Sequence, residues 1–195
     1  MKTVDTLIHA RWIVPVEPAG VLYEHHSLAV NQGRIVDLLP AEQARAAYRA
    51  GIDHELDSHL LMPGLVNAHT HAAMSLLRGL ADDLPLNEWL NEHIWPAESR
   101  WVNEEFVHDG TQLAIAEMLR SGTTCFNDMY FYPDITARVA TSCGMRACVG
   151  LIVIDLPTVW AKDAGEYISK GLAVHDRFRG DSLVQTVFAP HAPYT

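Results

Sequence analysis

Met62-Pro63-Gly64-Leu65-Val66-Asn67-Ala68-His69-Thr70-His71 carries an apolar run into two histidines one residue apart. On an extended strand residues i and i+2 point to the same face, so His69 and His71 aim both imidazoles at one point while Thr70 faces away. Two convergent imidazoles suit a divalent metal, with zinc, iron and nickel all compatible. Pro63-Gly64 lets the backbone turn into the strand, and its polar end suits a strand that stops at a solvent-accessible mouth. A bare pair of this kind is more often two ordinary histidines at a strand end. Its weight therefore depends on the rest of the chain.

From about residue 60 onward, strand and helix patterns alternate, the mark of a parallel sheet or barrel. Leu60 to Asn67 reads as the first strand of that series, Thr123 to Met129 as the second, Arg146 to Ile154 as the third and Leu183 to Ala189 as the fourth. Between them, Leu86, Trp89, Leu90 and Ile94 recur at helical spacing. Asn103 before Glu104-Glu105 opens a helix running to about Arg120, with Gly122 as its stop, and Pro133-Asp134 opens another that ends near Gly144. A further helix passes through Tyr167 and Leu172. Before residue 60 the pattern is of short strands: Thr6 to Val16, then a hairpin in Ser27 to Leu39 turning at Asn31-Gln32-Gly33, then a short surface helix in Ala41 to Ala50. We expect two domains, residues 1–60 and residues 61–195.

Composition narrows the function classes. The 195 residues are 49% hydrophobic, enough for a sizeable core, and carry 24 acidic against 14 basic side chains for a net charge of −10. That balance argues against a nucleic-acid partner. Three cysteines, Cys125, Cys143 and Cys148, are odd in number and form no CxxC pair, so neither a disulfide framework nor a thiolate zinc site is expected, and a reducing cytoplasm fits. The N-terminus has no signal-peptide core, and no apolar run approaches the roughly 18 residues of a membrane span.

The run PGLVNAHTH, followed in order by RGLADDLPLNEWL, HIWPAE, SGTTCFNDMYF and the terminal FAPHAPYT, resembles the amidohydrolase superfamily over essentially the whole chain. Within its chlorohydrolase-like branch the motifs are most similar to the 5'-methylthioadenosine/S-adenosylhomocysteine deaminase group. The resemblance implies an α/β fold: a metal-dependent TIM (β/α)8 barrel of which this chain supplies about the first four β/α units, beside part of a small β-sandwich built from the N-terminus. Eight such units typically need about 250 residues, and only about 135 follow residue 60. We accordingly expect the chain to be the N-terminal part of a longer enzyme, with the C-terminal remainder as its first partner and a homo-oligomer as a further option.

The implied activity is hydrolytic deamination of 5'-methylthioadenosine, S-adenosylhomocysteine or adenosine to the inosine analogue plus ammonia, using one divalent metal ion, zinc in the first instance. Alternatives are another amidohydrolase, such as a guanine or cytosine deaminase or a triazine hydrolase, and a non-catalytic truncated module. By resemblance His69 and His71 are metal ligands, and the remaining ligands and the proton-moving glutamate belong to later strands, so no catalytic residue is assigned within this chain. Glu98, in Trp95-Pro96-Ala97-Glu98, would on its own read as a solvated surface charge after a helix; the resemblance makes it the acceptor of two ribose hydroxyls. His191, between Pro190 and Pro193, reads on its own either as a satisfied loop histidine or as a third metal ligand; the resemblance makes it a contact to the purine. Met74, Leu77, Leu84, Leu86 and Trp89 are candidates for an apolar wall or for plain core. An arginine that the family often carries on or just after the third strand is missing, since Arg146 stands at that strand's start.

Overall fold

The computed structural model describes every residue except Tyr194, and the chain divides into two compact units, Met1–Pro63 and Gly64–Thr195.

In the first unit, β1 (Lys2–Ile13), β2 (Tyr23–Asn31) and β3 (Arg34–Pro40) are followed by α1 (Ala41–Ala47) and β4 (Tyr48–Leu61), and the sheet order is β3-β2-β1-β4. The β2–β3 hairpin turns through Gln32 and Gly33, both at positive φ, 50° and 72°. This is the backbone twist that two-residue hairpin loops require. The helix expected over Ala41 to Ala50 stops at Ala47, because β4 begins there and pairs in parallel with β1 from Lys2 opposite Tyr48 to Ile13 opposite Leu61. Strand β4 was not legible in the sequence: Asp53, His54, Glu55, Asp57 and His59 give it no apolar alternation, and it is held by backbone pairing to β1 instead. Val4, Leu7, Ala29, Ala44 and Tyr48 form the small core.

Beside that core, His9 is buried. Its Nδ1 lies 2.5 Å from Ser27 Oγ, and its Nε2 lies 3.2 Å from Asp53 Oδ1 and 3.9 Å from Glu55 Oε1. Three ligand-type side chains stand close together here. The guanidinium of Arg45 already grips both oxygens of Glu55, at 2.5 and 2.7 Å, so the cation that answers this cluster comes from the protein itself.

In the second unit, β5 (Leu65–Thr70) leads through a 3-10 turn at Ala72–Leu77 into α2 (Leu86–Glu88), a wide π-type turn at Trp89–Ile94, and α3 (Trp95–Trp101). Then come α4 (Glu104–Arg120), β6 (Thr123–Met129), α5 (Pro133–Ser142), β7 (Arg146–Val153), α6 (Ala164–Phe178) and β8 (Val184–Pro190). The four strands form one sheet in the order β5-β6-β7-β8, parallel throughout, and helical segments connect each strand to the next. Capping follows the local chemistry. The Asn103 side chain accepts from Phe106 N, and the Asp163 side chain accepts from Glu166 N, each at 2.9 Å, satisfying amides that the first turns of α4 and α6 would otherwise leave unpaired.

Two boundaries differ from the sequence expectation. Leu60 and Leu61 belong to β4, and the strand bearing the histidines starts only at Leu65, because Pro63-Gly64 breaks the run between them. Glu98 lies within α3 and not after a helix, since Pro96 occupies the first turn, where its missing N–H costs nothing.

Strand β7, flanked by two neighbours, buries Ala147 and then Val149, Gly150, Leu151 and Ile152 in succession, as a strand covered on both faces must. Outer strands β5 and β8 leave apolar side chains open, with Val66 66% and Phe188 59% exposed. Helix α4 packs against the Ala72–Leu77 turn so closely that a Cβ at Gly110 would stand 2.4 Å from the Ala73 carbonyl oxygen. Gly110→Ala should therefore destabilise the fold by about 1–3 kcal/mol despite its better helix propensity, because the turn must shift to admit it. Thermal or denaturant unfolding checks this; an unchanged or raised midpoint would show that the contact is soft.

Candidate active site

The C-terminal ends of all four parallel strands converge on one region, and the polar residues of the last turns point there. After β5, the His71 ring stands 5.1 Å from the His69 ring, centroid to centroid, at an interplanar angle of 74°. His71 Nδ1 lies 2.6 Å from the Met129 carbonyl oxygen. A carbonyl only accepts, so Nδ1 carries the proton and the Nε2 lone pair is left for a ligand. An imidazole nitrogen sits about 2.0–2.1 Å from a bound zinc, and the ring separation allows both histidines to reach one ion. The pair thus fits a metal, with the His71 tautomer fixed by the kind of outer partner that metal-binding histidines use. His69 is more exposed, and its backbone N–H approaches Asn67 Oδ1 at 3.4 Å.

The end of β6 holds this segment in place. Thr70 Oγ1 donates to Asp128 Oδ1 at 2.8 Å and lies 3.0 Å from the Asn127 carbonyl; Ala72 N donates to the same Asp128 oxygen at 2.7 Å; and Asn127 Nδ2 donates to the Ala68 carbonyl at 3.1 Å. These side-chain bonds cover the stretch where the β5–β6 register is irregular, between Asn67 and Thr70. Asp128 is fully buried. Burial pushes its carboxyl up, while the hydrogen bonds from Ala72 and Thr70 and the nearby imidazoles act in the opposite direction.

A cavity of about 310 Å³ opens beside His71. Glu98 lines it from α3, Tyr130 from the end of β6, Ile152, Ile154, Leu156 and Thr158 from the end of β7 and the loop beyond, and His191 from the segment after β8. Glu98 is only 9% exposed, so the solvated-charge alternative does not hold. Its carboxyl is pushed up by burial and eased back by a hydrogen bond from the Tyr130 hydroxyl, 2.7 Å from Oε1, and by the proximity of His71. Burial, followed by His71, pulls the His191 imidazole down, favouring its neutral form; the ring Nδ1 lies 3.0 Å from Thr195 Oγ1, and the backbone N–H of His191 donates to the Val153 carbonyl at 3.1 Å.

The structure thus brings His71, Glu98 and His191 to a single cavity, with His69 alongside His71 but outside the lining. His191 does not stand within common ligand distance of the two histidines: among the described residues the one grouping of three ligand-type side chains is His9, Asp53 and Glu55. Of the five apolar wall candidates, Met74 and Trp89 line the cavity. Leu77, Leu84 and Leu86 do not; Leu77 and Leu84 are half-buried elsewhere and Leu86 is 63% exposed. Their place is taken by Ile152, Ile154, Leu156 and Val159. Sequence reasoning gave Asp128 and Tyr130 no role. The available signal was their i, i+2 spacing in Asn127-Asp128-Met129-Tyr130, at the end of a strand whose neighbour carries the histidines.

Residues 60–195 match the model of the amidohydrolase family. Over 193 residues the chain is 55% identical to a 5-methylthioadenosine/S-adenosylhomocysteine deaminase of Saccharophagus degradans, covering 98% of this chain and 43% of that protein. A crystal structure of an adenosine deaminase from Xanthomonas campestris with bound zinc superposes with a TM-score of 0.96 at 51% identity, covering 100% of this chain and 44% of the other. The zinc complex of atrazine chlorohydrolase from Arthrobacter aurescens TC1 has a TM-score of 0.82 at 16% identity over 95% of this chain and 46% of its own, a likeness of fold alone. The chain spans less than half the length of the relatives it matches.

Proposed function

Because the chain belongs to the amidohydrolase family, we propose that it contributes the N-terminal part of a metal-dependent hydrolytic deaminase acting on 5'-methylthioadenosine, S-adenosylhomocysteine or adenosine. In this reading Gly64–Thr195 is the first half of a (β/α)8 barrel and Met1–Pro63 is part of a small β-sandwich domain. His69 and His71 hold one divalent ion, zinc in the first instance, which when bound supplies a water acidified to a pKa near 7. A cytoplasmic location accords with three unpaired cysteines, and no described helix is long and apolar enough to cross a membrane.

Each residue has a task that its surroundings allow. His71, with its proton fixed on Nδ1 by the Met129 carbonyl, offers a lone pair in one orientation. Glu98 presents a buried carboxylate to two ribose hydroxyls, since one carboxylate can accept several donors. His191, neutral and across the cavity, hydrogen-bonds the purine. Apolar side chains from the β7 end keep water from the base and from the 5' substituent. The observation that carries the reading is the convergence of His71, Glu98 and His191 on one cavity at the C-terminal ends of parallel strands, where barrel enzymes keep their sites.

Glu98→Gln in the full-length enzyme should lower kcat/KM for nucleosides by roughly 10- to 100-fold, the effect of about 1.5 to 3 kcal/mol for hydrogen bonds to a charged group. Any rate on free adenine should hardly change. Steady-state kinetics on methylthioadenosine and adenine decide it: equal losses on both would mean that Glu98 acts through stability and not through the sugar.

A further inference from the structure

Among the polar contacts that the proposed roles leave unused in the cavity is the 2.7 Å hydrogen bond from Tyr130 Oη to Glu98 Oε1. Tyr130 is 5% exposed, and among the described residues its hydroxyl is the one hydrogen-bond partner of the Glu98 carboxylate. Burial alone would turn Glu98 toward its neutral acid. A neutral acid gives up one oxygen as a donor and can no longer accept freely from two hydroxyls. The hydrogen bond from the phenol acts in the opposite direction. Burial, and then the charge of Glu98, push its own pKa far up, so the phenol keeps its proton and donates it to the carboxylate. By occupying one acceptor position on Oε1 it also fixes the rotation of the carboxylate plane, leaving Oε2 and the second Oε1 lone pair for the cavity.

We propose that Tyr130 is a positioning residue that sets the Glu98 carboxylate for a ligand carrying two adjacent hydroxyls, an inference that rests on reading Glu98 as the ribose acceptor. The competing role is packing. Tyr130 also lies 5.1 Å from the Phe131 ring and 6.4 Å from the His71 ring, centroid to centroid, and Tyr130→Phe keeps both contacts while deleting only the hydroxyl.

The test compares adenosine with 2',3'-dideoxyadenosine as substrates of the full-length enzyme and of its Tyr130→Phe, Glu98→Gln and double variants. Tyr130→Phe should lower kcat/KM for adenosine about 5- to 20-fold, chiefly through KM, and change the dideoxynucleoside less than about twofold, a smaller loss than that of Glu98→Gln because the acceptor carboxylate itself remains. Added to Glu98→Gln, it should cost nothing further, because the group it positions is already altered. Equal losses on both substrates, or losses that multiply in the double variant, would overturn the inference in favour of packing. If Glu98→Gln itself fails to separate the two substrates, the ribose reading of Glu98 falls first, a result distinct from failure of Tyr130 alone. Should Tyr130→Phe fold poorly, ring-fluorinated tyrosine at position 130 keeps the ring and alters only the donor strength of the hydroxyl. A change confined to adenosine then supports the proposal, and no change refutes it.

Discussion

His69→Ala or His71→Ala in the full-length protein is expected to abolish both metal retention and turnover. In the proposed site each imidazole is one of the few protein ligands of a divalent ion, and removing either would leave the ion with too few. The loss at His69 should be the cleaner of the two, because His69 lies outside the cavity lining, whereas His71 lines the cavity and its removal also strips the Met129 carbonyl of its 2.6 Å partner. Elemental analysis of the purified variants and an ammonia-release assay check the expectation. A variant with full metal content and normal rate would remove that histidine from the ligand set.

The second large effect concerns Met1–Thr195 by itself. Two imidazoles leave a divalent ion short of protein ligands, and no described residue stands with His69 and His71 as a third. We expect this chain alone to bind zinc weakly, to release no ammonia from methylthioadenosine, and to associate through the open flanks of β5 and β8, where Leu65, Val66, Val187 and Phe188 are exposed. Supplying the remainder of the enzyme, covalently or as a separate fragment, should restore tight zinc binding and activity together. Light scattering, zinc titration and the ammonia assay on mass-verified material decide it. Monomeric, active material would overturn the expectation.

Regions governed by local chemistry were legible in the sequence. Thr123–Met129 coincides with the expected strand, Asn103 caps the helix that it was expected to open, and Gly122 follows that helix's end. Where long-range pairing decides, sequence was a poor guide: β4 has the composition of a polar loop and is a strand because β1 lies beside it. The candidate site divides in the same way. His69-Thr70-His71 is a local pattern, visible at once. That Glu98 is buried, and that its partner is Tyr130, 32 residues later, depends on how α3 meets the end of β6. Nothing in either segment alone signals that meeting. Leu77, Leu84 and Leu86, offered as wall or core, lie outside the cavity lining for a related reason, since apolar character does not tell which cavity a side chain adjoins.

Four consecutive residues, Asn127 to Tyr130, grip both halves of the candidate site: Asn127 and Asp128 tie down the segment bearing the histidines, Met129 orients His71, and Tyr130 holds Glu98. Asp128 and Tyr130 are two positions apart and both buried, so a slip of one residue in β6 would turn both outward at once. The proposed ion-holding and sugar-holding functions would therefore share a single mechanical datum. A substitution that displaces β6 by a few tenths of an ångström should detune both in step, and directed evolution toward sugar-free substrates will find it easier to discard Glu98 than to relocate the strand that aims it.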